Sequence, residues 1–378
     1  MTTKRITLTA FLGVLLATRA VAQETHAHHG ERETLGTVRF PVSCSERVRP
    51  AFTRAVALLH SFGYEDARDA FAAVAAQDPG CGMASWGVAM TYFHPIWAPP
   101  TPGELAAGRA AAERAGTAGA KTEREQGYIA AISAFYRDSD RLDHRARALA
   151  YKGAMEDLTR RWPEDHEASI FFALSLLATA PPTDATFANQ KKAAEILNGL
   201  LEREPQHPGV AHYLIHAFDY PPLASLALAA ARAYSKIAPS SPHALHMPSH
   251  IFTRLGLWQE SIESNLASAD AARRRVAKVR PGAASFDALH ALDYLEYAYL
   301  QMGDEAKAKQ VLEEAANAKT FDEPSFAAGY ALSAVPARFA LERRRWQDAA
   351  KLEPPKADLP WERFSYATAI TPFAQALG

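Results

Sequence analysis

His60-Ser61-Phe62-Gly63-Tyr64 begins the stretch that decides the fold, with Ala67 and Phe71 after it and Asp78-Pro79 closing it. A glycine between two helical runs marks a tight turn, because only glycine takes the required backbone conformation cheaply. A small residue a few positions later marks where two helices cross closely. The same punctuation returns at Leu255-Gly256, Trp258, Ser261 and Ala267, and again at Tyr299, Gly303, Ala308 and Leu312. Histidines keep a related rhythm: His60 and His94, His212 and His246, and His216 and His250 are each 34 residues apart. That is the period of a two-helix repeat. From about Val48 the chain is Ala-rich and helical in period, without a convincing alternating strand.

These units resemble tetratricopeptide repeats, and the resemblance covers most of residues 48–350. It implies an all-α, right-handed helical-repeat solenoid of about seven or eight helix pairs, with units starting near 48, 82, 121, 164, 208, 242, 286 and 325. The segment His243-Ala244-Leu245-His246-Met247-Pro248-Ser249-His250-Ile251-Phe252 resembles a group of exported bacterial tetratricopeptide proteins and brings no mechanism with it. Helix-A positions of such repeats line a concave groove. The resemblance therefore implies that His212, His216, His243, His246, His250, His290, Asp293 and Tyr297 face one cavity. In this alignment His290 takes the slot of His243 in the following unit, and Asp293 and Tyr297 take those of His246 and His250.

The rest of the chain divides simply. Residues 1–22 read as a secretory signal: Lys4 and Arg5, an apolar run from Ile6 to Ala17, then Ala20-Val21-Ala22 before Gln23. Arg19 beside the cleavage site leaves a retained anchor as the alternative. Residues 23–47 are expected to be a flexible lead-in, 48–352 the solenoid, and 353–378 a Pro-rich linker with a terminal helix. That helix either folds back as a cap or belongs to a longer array. No later stretch is apolar and long enough to span a membrane, so the chain is expected to be exported, periplasmic or secreted.

Formal charge is −1 over 378 residues, and removing Lys4, Arg5 and Arg19 makes it −4, so no basic surplus exists for nucleic acid. Export would place the two cysteines where a disulfide persists. Cys44 and Cys81 each precede the opening helix of neighbouring units, which predicts a bridge between them; two separate thiols are the alternative.

Five of 14 histidines fall within residues 212–250. His212 and His216 are four apart and share a helix face, and His246 and His250 repeat the spacing. Imidazole is the commonest metal ligand among side chains. His212, His216, His243, His246, His250, His290 and Asp293 are thus candidate ligands for a divalent transition metal, zinc or copper first. Pro248 complicates the pattern, because it kinks or restarts the helix between His246 and His250. Asp219, Arg254, Tyr297, His60, His94 and Trp86 are candidate ligand-binding residues, although Trp86 and its aromatic neighbours equally fit core packing. The functional reading is recognition of a peptide, protein or small molecule in a histidine-lined groove that holds a metal. The alternatives are a metal-dependent hydrolase or oxidase, a metal carrier, and a groove without metal.

Overall fold

Alanine-rich helices with small crossing residues pack closely in pairs, and among the described residues they form eight such pairs in chain order. In the computed structural model, which describes residues 33–96 and 99–378, α1 (Arg49–His60) pairs with α2 (Tyr64–Gln77) and α3 (Gly82–Thr91) with α4 (Pro102–Ala118). Then α5 (Glu123–Tyr136) pairs with α6 (His144–Arg161), and α7 (His166–Ala178) with α8 (Ala188–Leu201). The fifth pair is α9 (Pro208–Phe218) with α10 (Leu228–Ile237). In the sixth, α11 (Pro242–His246) and α12 (Pro248–Arg254) together face α13 (Trp258–Val279). The last two are α14 (Phe286–Gln301) with α15 (Glu305–Asn317), and α16 (Phe326–Glu342) with the short α17 (Trp346–Ala349). The chain is thus an all-helical, tetratricopeptide-like array, and its observed unit starts lie within two residues of those read from the sequence. The predicted signal, residues 1–22, lies outside the described residues.

Packing explains the two kinds of helix. The first helix of a pair meets its own partner, the partner of the preceding pair and, through most of the array, the first helices on either side. Such helices are apolar nearly all round: every residue of α3 is buried, as is all of α9 except His216. Second helices bury a single stripe, as in α15, where Ala308, Val311 and Ala315 point inward.

Turn chemistry differs from the expectation in one unit. Gly256 and Gly303 take left-handed backbone, at φ +70° and +77°. In the first unit the left-handed residue is Phe62, at φ +53°, while Gly63 next to it has φ −73°. A bulky residue pays roughly 1–2 kcal/mol there, offset by the ring contacts described below.

The array curls until its first unit meets its fifth and sixth. Helix α1 packs on α9, and Arg275 of α13 reaches Asp66 of α2 through two bonds of 2.7 and 2.8 Å. Of the expected flexible lead-in, residues 34–47 instead form a packed strap. Leu35, Val38 and Phe40 are buried, and the Thr37 amide donates to the Gln206 carbonyl at 2.8 Å. The open groove implied by the resemblance is therefore filled around His60, Phe171 and Tyr213, all at most 1% exposed.

Cys44 and Cys81 are joined, with sulfurs 1.95 Å apart. At the other end α18 (Ser365–Leu377) folds back onto α16 and α17 and buries Ala367, Thr371 and Ala374. Among the described residues no helix is long and apolar enough to cross a membrane.

Candidate metal centre

Two helices with the same ligand spacing supply most of the centre. On α9, Pro208 at the first turn and the His207 side chain, which accepts from the Gly209 amide at 3.1 Å, fix the helix start. His212 and His216 then project from consecutive turns. Gly209 lets α9 approach α1: a Cβ there would stand 2.5 Å from His60 Nδ1. One unit later Ser241 caps α11, and the helix breaks at Pro248, so His243 and His246 belong to α11 and His250 to α12. The break does not scatter them.

The histidines form two triads rather than one row. His212, His216 and His243 bring one ring nitrogen each to within 4.8 Å of the others, and so do His246, His250 and His290. In the first triad, His212 Nε2 lies 3.0 Å from His216 Nε2 and 2.9 Å from His243 Nε2. In the second, His246 Nε2 lies 3.0 Å from His250 Nε2, and the His246 and His290 ring centroids are 4.3 Å apart. His212, His243 and His246 are buried, while His216, His250 and His290 are half-buried.

Outer hydrogen bonds decide which nitrogens carry protons. His212 Nδ1 donates to the backbone carbonyl of His60 at 2.6 Å, leaving Nε2 with the lone pair. His250 Nδ1 donates to the Asp219 carboxylate at 2.8 Å, and Arg254 holds the other oxygen at 3.0 Å. His246 Nδ1 faces Asn265 Oδ1 at 2.7 Å. The Asn265 amide is oriented by donating Nδ2–H to the Ser261 carbonyl at 2.8 Å, so its oxygen accepts from His246. With each Nδ1 engaged outside the triad, the Nε2 atoms of His246 and His250 face each other across 3.0 Å, the atoms each ring has left to offer a ligand. In the first triad the single lone pair of His212 faces two ring nitrogens.

Burial pushes His212, His243 and His246 well below the usual imidazole range, each also lowered by neighbouring imidazoles. His216 and His290 fall to about 3, from burial and then from His250. Asp219 is held at about 2, chiefly by His250 and Arg254, against the cost of its burial. Charge arriving at these nitrogens as a proton is disfavoured. A metal ion roughly 2.0–2.1 Å from each nitrogen would engage the lone pairs directly.

Aromatic rings wall the triads. Phe62 lies against His212, His216 and His243, at centroid distances of 4.4, 5.6 and 5.6 Å. Tyr294 packs on His246 and His250 at 4.9 and 4.8 Å, its hydroxyl 3.2 Å from His250 Nδ1.

Other clusters satisfy themselves. Glu167 accepts from His60 Nε2 at 2.9 Å and His207 Nε2 at 3.0 Å, while His60 Nδ1 meets the Tyr213 hydroxyl at 3.0 Å. Its pKa is driven far below the carboxylate range by these two histidines, despite burial. Every ring nitrogen of that group has a protein partner. Asp78 stands beside Cys44 and Cys81, whose sulfurs are already bonded to each other.

Several expected site residues lie elsewhere. Asp293 is no ligand of either triad: Arg338 binds it at 2.7 Å, together with Glu296 at 3.1 Å. Tyr297 packs edge-on against Trp258 and under Arg338. The true register explains both. Units beginning at 242 and 286 are 44 residues apart, so His246 corresponds to His290 and His250 to Tyr294. His60 is wholly buried and touches the centre only through its carbonyl. Trp86 is wholly buried core, and His94 sits beyond α3 against Tyr64, at 4.7 Å. Asp219 and Arg254 support His250 from outside. Phe62, Asn265 and Tyr294 were not anticipated; only Tyr294, one turn after His290, carried a sequence signal.

No family model and no curated protein matches this chain. Among solved structures it is similar to the APC/C hetero-tetramer Cut9-Hcn1, at 12% identity, over 90% of this chain and 65% of that one, with a TM-score of 0.38. It is also similar to the P58(IPK) TPR domain, at 12% identity, over 88% and 98% of the two chains, with a TM-score of 0.24. The chain spans about two thirds of the first of these.

Proposed function

We propose that this chain is a metal-binding protein whose two histidine triads each hold a transition-metal ion. The observation that carries this is the 3.0 Å approach of His246 Nε2 to His250 Nε2, each ring turned there by the outer partner of its Nδ1, Asn265 and Asp219. Neutral imidazoles so oriented repel one another unless a cation lies between them. The outer partners follow the usual arrangement around a ligating histidine, in which the second ring nitrogen donates to a carboxylate, amide or carbonyl. Three ligands per ion leave a position for water or substrate, which favours a reactive site over a storage one.

The tetratricopeptide-like array is also an architecture suited to protein partners, and the centre here lies within it rather than in an open groove. The joined Cys44–Cys81 pair supports a working place outside the reducing cytosol, in keeping with the secretory signal read at residues 1–22.

Metal content of the untagged protein tests the reading, alongside a His212→Ala/His246→Ala variant. Up to two ions per chain are expected in the parent and none bound tightly in the variant. A parent that takes up zinc and copper no better than the variant would overturn it.

A further inference from the structure

We propose that the two triads form one dinuclear copper centre that takes dioxygen between its ions; this rests on the metal-binding reading above. The first ground is placement. Helix α11 gives His243 to one triad and His246 to the other. Side chains three apart on a helix are neighbours, with Cβ atoms about 5–6 Å apart, so ions bound by these two rings lie close together.

The second ground is repetition. Each triad consists of two histidines four residues apart and one from the next inner helix: His212 and His216 with His243, then His246 and His250 with His290. Matched ligand sets suit matched ions acting as a pair.

The third ground is charge. All six candidate ligands are histidines, and an imidazole brings no negative charge to an ion it binds. The nearby carboxylate, Asp219, is turned to the far nitrogen of His250, and Asp293 is engaged by Arg338. Two doubly charged ions side by side repel four times as strongly as two singly charged ones. Burial without an anion thus favours monovalent ions, and of the metals imidazole suits, copper has the accessible monovalent state. A bridging anion would then stabilise the divalent pair, and dioxygen supplies one. Each copper(I) gives up one electron, and the two electrons enter O2. Its O–O bond order falls from two to one, and peroxide bridges two copper(II) ions with no proton moved. The half-buried edges of His216, His250 and His290 give so small a molecule its approach.

Copper(I) is loaded anaerobically into the full untagged chain, dioxygen is admitted, and copper content, electron paramagnetic resonance and near-ultraviolet absorption are measured. Two coppers per chain are expected. Their resonance signal should account for only a small fraction of the oxidised copper, because the bridged spins pair, and an intense charge-transfer band should appear with dioxygen. His290→Ala should hold one firmly bound copper, without the band on exposure to dioxygen and fully visible by resonance once ferricyanide has oxidised it. Two coppers whose signal accounts for all of the metal would overturn the dinuclear inference while leaving metal binding intact. Triads that take zinc and refuse copper would do the same. A chain that takes up neither metal would overturn the metal-binding reading itself.

Discussion

Asn265 sets the state of a ligand on another helix by the way its amide is turned. With Nδ2 held by the Ser261 carbonyl, its oxygen can only accept, and His246 must present a lone pair to the second triad. Replacing Asn265 with Leu should lower metal affinity at that triad roughly 10–100-fold, as loss of outer-shell partners does. Competition titration reads this, with circular dichroism as the check on folding. Unchanged affinity would mean that the amide is merely structural. Gly209 makes a different kind of test. A methyl group 2.5 Å from His60 Nδ1 has no room, so Gly209→Ala should cost about 1–3 kcal/mol and loosen the first triad more than the second. Melting temperature and site-resolved titration check both parts. The candidate residues were legible in the sequence because histidine clustering is visible without a structure. Their grouping was not. Slots counted 47 residues apart pointed to Asp293 and Tyr297, whereas the 44-residue step between α11 and α14 places His290 and Tyr294 at the centre.

Helix α14 carries more than His290. Burial raises Glu296 to about 8, against Arg338 pulling it down, and one of its oxygens is buried without a hydrogen-bond partner. Burial and then Asp322 raise Asp287 on the same helix to about 7. Both values exceed those of the unfolded chain, so the folded state binds protons more tightly. Stability from these groups is fully present below about pH 4 and is lost as pH rises through 7 to 8. Glu296→Gln should flatten that loss by a few kcal/mol, since every tenfold gain in proton affinity on folding is worth about 1.4 kcal/mol. Urea midpoints between pH 5 and 9 measure it, and an unaltered slope would contradict the assignment. Helix positions themselves were readable, because turn glycines and breaking prolines act locally. The left-handed Phe62 was not, since its contacts to His212, His216 and His243 come from sequence positions more than a hundred residues away.

Over the whole molecule, the departure from expectation is closure. Repeat periodicity describes contacts between neighbouring units and is silent about the first unit meeting the fifth and sixth. His60, Glu167 and His207 are buried there, and the expected groove surface becomes a largely enclosed centre with only His216, His250 and His290 half-buried among its ligands. The Cys44–Cys81 link belongs to the N-terminal edge and contributes no atom to either triad. Its loop of 37 residues predicts that a Cys44→Ala/Cys81→Ala variant loses roughly 4 kcal/mol in the chain-entropy account. Metal stoichiometry should be unchanged below its melting point; loss of metal while the variant is still folded would tie the link to the centre.

Anomalous diffraction from crystals of the metal-loaded chain, collected on both sides of the absorption edge of the bound metal, would locate the ions. Two difference peaks are predicted, one among the Nε2 atoms of His212, His216 and His243 and one among the ring nitrogens of His246, His250 and His290. A loaded crystal without a peak at either triad, or with its metal only at surface residues, would contradict the account.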